Sequence, residues 1–149
     1  MTDDPTAIRS LAVRVDDIVN ALEATERNRA DGVLRVTPPF NGRMRARLHV
    51  TGDEEYDPGA RGAPIHVRPK RFLDDLPSFP TPDETADELR DDPDREYDPE
   101  THRSYHERRV EQWREAVAGS IRDRATIETA VGPHDVDVAA LGTWPPDRS

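Results

Sequence analysis

The chain has 149 residues, of which 21 are basic, 31 acidic and none cysteine, so it carries a formal net charge of −10 on only 34% hydrophobic content. Without cysteine there is no disulfide framework, no thiolate nucleophile and no thiolate ligand for a metal or an iron–sulfur cluster. No run approaches the roughly 18 consecutive apolar residues of a membrane span, and the start Met1-Thr2-Asp3-Asp4 lacks the basic-then-apolar pattern of a secretory signal, so a cytoplasmic chain of one modest domain is expected.

Asp4-Pro5 suits a helix start, with Asp as N-cap and Pro at the first helical position. Ile8, Leu11, Ala12, Val15, Ile18, Val19 and Leu22 then recur at three- and four-residue spacing, which predicts a helix over 5–30 stopped near Gly32. Residues 33–40 and 43–51 flank Asn41-Gly42 and read as a β-hairpin. A two-residue turn would set Val36 opposite Arg47 and Leu34 opposite His49, mixing apolar and charged groups. A three-residue loop, 40–42, with Gly42 in a left-handed bulge, pairs Leu34 with Leu48, Val36 with Ala46 and Pro38 with Met44, and closes the apolar set on one face. Arg35 then opposes Arg47.

Residues 53–62 read as a polar loop, and 64–68, flanked by prolines, as a short edge strand. The prolines of 69–82, with Phe72, Leu73, Leu76 and Phe79, predict an extended segment laid across the domain. Thr81-Pro82-Asp83-Glu84 resembles a capping box and opens a helix to about Arg90. After a polar loop at 91–97, Asp98-Pro99-Glu100 starts a long helix to about Arg124, with Val110, Trp113, Val117 and Ile121 as its stripe. Residues 126–131 suit a strand, Gly132-Pro133 a turn, and 136–141 a helix or a strand. The expected whole is a single α+β domain over 1–142, with a Pro-rich acidic connection at 69–100 and a frayed tail at 143–149.

Charge is unevenly spread. Residues 74–100 hold 12 acids against Arg90 and Arg95 alone, a sum of −10, so the other 122 residues are formally neutral. The stretch before it is basic, with Arg35, Arg43, Arg45, Arg47, Arg61, Arg68, Lys70 and Arg71 against Asp53, Glu54, Glu55 and Asp57. Lys70 is the one lysine, and Asp outnumbers Glu. That composition resembles the short haloarchaeal proteins of unknown function, a resemblance that implies a salt-rich cytoplasm and no activity.

The hairpin register puts Arg35, Arg43, Arg45, Arg47 and His49 on one face without a carboxylate, and these are the candidate partner-binding residues. Solvent and chloride, the acidic segment 74–100, or an external partner could supply the counter-charge. The helix-strand-strand-strand-helix order over 5–124 resembles that of the double-stranded-RNA-binding domain, which implies contacts to phosphate and ribose. The insertion at 69–97 departs from it, and only His102, Arg103, Arg108 and Arg109 stand for its basic second helix.

Catalytic signatures are lacking: there is no P-loop, Gly-x-Ser-x-Gly, dinucleotide fingerprint or His-Glu-x-x-His. His102 and His106, four apart on a predicted helix, are the only weak metal candidates, with Asp98 or Glu107 near. The acids Asp92, Asp94, Glu96 and Asp98 alternate as in a calcium loop, but Tyr97 and Arg103 occupy the positions that need Gly and Glu. The expectation is a non-catalytic interaction or regulatory protein without cofactor or membrane contact, its partner a macromolecule, protein ahead of nucleic acid. Nucleic-acid binding through the arginine hairpin is the alternative, and an enzyme with an unrecognised site the second.

Overall fold

The computed structural model describes residues 2–27, 31–51 and 63–146. The loop expected at 53–62 lies outside the described residues, as do 28–30 of the first predicted helix and 147–149 of the tail.

Alternation decides the first element. Leu11 and Val13 are wholly buried while Ser10 and Ala12 are only partly so, and strand β1 (Ser10–Arg14) runs straight into helix α1 (Val15–Glu26). The helix expected over 5–30 is therefore corrected. Asp4 caps only one 3-10 turn, Pro5–Ala7, and the helix proper begins where Asp16 and Asp17 put carboxylates at its positive end. The three- and four-residue spacing upstream yields to tertiary pairing, because β1 is hydrogen-bonded to a strand on each side.

Gly32, expected to stop that helix, lies in strand β2 (Asp31–Val36), where a Cβ would come within 2.5 Å of the Ala21 carbonyl oxygen of α1. β2 pairs antiparallel with β3 (Arg43–Thr51) in the expected register, Leu34 opposite Leu48 and Arg35 opposite Arg47. The connection differs from the bulged turn. Pairing stops at Arg35–Arg47, Phe40 is buried and bridges to Thr2, and Gly42, whose φ is not positive, accepts hydrogen bonds from the N–H groups of Arg9 and Ser10. The N-terminal segment thus captures the link that a free hairpin would have closed on itself. Leu48, expected on the buried face, is 36% exposed.

Strand β4 (Ile65–Val67) pairs with β2 at the sheet edge, as its prolines suggest. Residues 69–72, expected to be extended, form a 3-10 turn that buries Phe72, and Phe79 further on meets Trp113 edge-on at 4.9 Å. Helix α2 (Pro82–Asp91) has its capping contact, the Glu84 N–H donating to the Thr81 hydroxyl at 3.2 Å. Helix α3 (Pro99–Ala118) starts with the Thr101 N–H donating to Asp98 at 2.9 Å and buries Val110, Trp113 and Val117. It ends before Gly119, short of the expected Arg124, and Ile121 bridges to Leu73. Strands β5 (Arg124–Thr129) and β6 (Gly132–Leu141) make a hairpin, so Gly132-Pro133 opens a strand and 136–141 is extended.

The sheet order is β4-β2-β3-β1-β6-β5, with β1 parallel to both neighbours and the other pairs antiparallel. The edge strands β4 and β5 approach each other, so the mixed sheet nearly closes like a barrel. α1 packs on β2, β3 and α3, and α2 packs on α3. The class is α+β as expected. The strand ahead of the first helix, the parallel pairs and the terminal hairpin separate this topology from that of the double-stranded-RNA-binding domain.

Candidate functional site

Alternate residues of a strand share a face, so β3 sets Arg43, Arg45 and Arg47 in one row while Ala46 turns into the core. All three arginines are exposed, and none makes a side-chain hydrogen bond or ion pair with a described residue. The parallel register places the small residues Ser10 beside Arg43 and Ala12 beside Arg45, and the Asp17 carboxylate is near enough to feel the charge of Arg45. The other two predicted residues sit differently. The Arg35 Nε donates to His66 Nε2 at 3.0 Å, and the His49 ring lies 5.4 Å from that of His66, which makes a half-buried cluster beside the row.

The acidic segment takes its cations elsewhere. Among the described residues, Asp74 pairs with Arg122 at 3.3 Å, Asp92 with Arg95 at 3.3 Å and Glu88 with Arg109 at 2.9 Å. Arg109 and the Tyr105 hydroxyl hold Glu88 below the ordinary carboxylate range. α2 therefore docks on α3, away from the arginine row.

His102 and His106 share one face of α3, with ring centroids 6.1 Å apart, and both reach Thr85 of α2. The wholly buried Thr85 has its hydroxyl oxygen 2.9 Å from His102 Nε2 and 2.9 Å from His106 Nδ1. It also lies 3.3 Å from the Thr81 carbonyl and 3.2 Å from that of Pro82. Carbonyls only accept, so one hydroxyl proton and two lone pairs satisfy all four neighbours when the proton goes to the carbonyls and both imidazoles donate. In that arrangement the ring proton sits on Nε2 of His102 and Nδ1 of His106; where the hydroxyl donates to one ring instead, that ring takes the other tautomer. The basic nitrogens left over, His102 Nδ1 and His106 Nε2, are not among the buried unsatisfied atoms and remain open to solvent. Burial, then the charges of His102 and Arg27, push His106 below its ordinary value of 6.5. The His106 imidazole is thus favoured in its neutral form at neutral pH. Among the described residues no group of three or more His, Asp or Glu is placed to hold a metal ion.

The histidines line a cleft of about 410 Å³ with Arg27, Arg103, Arg114 and Glu107. Glu23 of α1 anchors two of those arginines, Arg27 at 2.9 Å and Arg114 at 2.6 Å, and Arg114 also reaches Glu111 at 3.0 Å. Arg114 above all holds the Glu23 carboxyl below its usual range. The sequence pointed to the histidine pair by its spacing but not to Thr85, Arg27 or Arg114. The capping box was the available signal for Thr85, since it puts residue 85 on the first turn of α2. Glu23 and Arg114 are 91 residues apart, which no local pattern links.

Fold and site together define a small α+β domain with a nearly closed mixed sheet, an exposed arginine row and a separate histidine–arginine cleft. Residues 1–142 match the family model described as a domain of unknown function (DUF8009), and the chain belongs to that family. No curated protein and no solved structure matches it. No helix among the described residues is long and apolar enough to cross a membrane.

Proposed function

We propose that the domain is a non-catalytic binding module that receives an acidic protein segment along the Arg43, Arg45 and Arg47 row of β3. The row itself carries this reading: three exposed guanidinium groups on one face of a paired strand, beside small β1 residues, with no ion pair to a described residue. A guanidinium offers a planar fork that meets a carboxylate through two parallel hydrogen bonds. Alternate side chains on a strand repeat every ~6.7 Å, which is also the repeat of alternate side chains in an extended Asp- and Glu-rich segment lying alongside. The salt-rich setting that the composition resembles screens all but direct contact pairs. At molar ionic strength the screening length is about 3 Å, and attraction through counterion release to nucleic acid fades.

The test is fluorescence anisotropy of a labelled poly-glutamate peptide titrated with the full chain in molar potassium chloride. Saturable binding is expected, and Arg45→Glu together with Arg47→Glu should weaken it by at least about tenfold, ~1.4 kcal/mol. Equal affinity in the double variant overturns the reading. Preference for an RNA duplex over the peptide in the same buffer reassigns the row to phosphate.

A further inference from the structure

We infer that the cleft between α1, α2 and α3 is a second, separate site that binds a small phosphomonoester. Its walls decide the sign of the ligand's charge. Arg27, Arg103 and Arg114 face it, and Glu107 is the one carboxylate among the described lining residues. Arg114 is held by Glu23 and Glu111 and serves as a fixed wall. Arg27 gives Glu23 only its Nε, and its terminal nitrogens donate to no described residue. Arg103 is exposed and forms no ion pair with a described residue. Two guanidinium groups thus have donors to spare, and a dianionic phosphate accepts several at once.

The histidines complete the donor set. Thr85 holds both rings through their inner nitrogens and leaves His102 Nδ1 and His106 Nε2 outward. Each can take up a proton and donate it to a phosphate oxygen without disturbing the Thr85 contacts. Burial, then His102, Arg27 and Arg109, against Glu107, push His106 below its ordinary value. Arg27 and Arg109 are cations, whose field favours an anion. Pro82 and Pro99, the first residues of α2 and α3, border the same cleft and turn the positive ends of two helices toward it. Their capping side chains already take the first N–H groups, so the helices add field, not hydrogen bonds.

Size sets the remainder of the ligand. At about 410 Å³ the cleft falls within the ~300–1,000 Å³ of small-molecule sites and exceeds a bare phosphate. Pro82 and Pro99 offer apolar surface for a compact organic part.

The test follows the imidazole nitrogens of the full chain by 1H–15N NMR at neutral pH during titration with inorganic phosphate and, separately, ribose 5-phosphate. Saturable shifts at His102 Nδ1 and His106 Nε2 are expected, with the protonated fraction of His106 rising as the anion binds. Ribose 5-phosphate should bind the more tightly; equal affinities overturn the assignment of an ester and leave recognition to the phosphate group alone. Arg103→Glu, at an exposed helix position where folding is safe, should lower affinity by at least about tenfold and leave poly-glutamate binding at the β3 row unchanged. Absence of saturable shifts with both ligands, or unchanged affinity in Arg103→Glu, overturns the site.

Discussion

Thr85 is a single hydroxyl on which two helices agree. It is wholly buried, and its oxygen lies 2.9 Å from a ring nitrogen of each of His102 and His106 across the α2–α3 contact. Thr85→Val keeps the shape and removes the hydroxyl, leaving two ring nitrogens without their partner. A loss of about 1–3 kcal/mol in unfolding free energy is expected by urea denaturation, with Thr85→Ser recovering most of it. An unchanged urea midpoint in the valine variant would show that solvent serves the imidazoles equally well. The histidine pair was legible because its spacing is local, four residues on one helix. Thr85 was not, because the hydroxyl that orients the rings lies 17 and 21 residues away and meets them only through packing.

Elements show the same divide between what is written locally and what pairing decides. The starts of α2 and α3 were legible at Thr81 and Asp98, since a cap needs only the next turn of its own helix. The β2–β3 register was legible too, because one slip would have exchanged Leu34 and Leu48 for charged neighbours. The split of the first predicted helix was not. Leu11, Val15 and Ile18 fit a helical stripe while Leu11, Val13 and Val15 fit the alternation of a strand, and the choice rests with β3 and β6, which hold β1 from either side. Gly32 illustrates the cost of misreading such a signal. It permits α1 to lie directly on β2, with the Ala21 backbone where a side chain would otherwise be. Gly32→Ala should push the helix from the strand and cost about 1–3 kcal/mol, read as a lower urea midpoint. Wild-type stability in that variant would mean the approach is looser than described.

At the scale of the molecule, two titrations set the acid limit of the fold. His106 has its folded value below 6.5, so its contribution is complete above 6.5 and declines as pH falls through that lower value. Glu23, which ties α1 to α3 through Arg114, has its folded value below 4.5. Its contribution is complete above 4.5 and is lost as pH falls further. Urea midpoints measured downward from neutral pH should therefore drop in two windows, and His106→Gln should flatten the upper one alone. A stability profile flat between pH 7 and 5 in the wild-type chain would remove His106 from this role. The charge segregation was legible as composition; its placement was not, since Glu88 finds Arg109 only once α2 and α3 are docked, and Asp74 finds Arg122 only where Leu73 bridges to Ile121.

The place of β1 in the sheet also governs when the molecule can come into being. Both edges of Ser10–Arg14 are parallel pairs, and one partner, Gly132–Leu141, stands near the far end of the described chain. Parallel pairing across so long a stretch closes slowly and late. During synthesis the ribosome releases β1 and α1 long before β6 is made, so an unpaired, largely apolar strand waits in the open. Such an edge is a template for wrong partners. Translation speed downstream of residue 14 therefore sets how long that edge of β1 stays open to them.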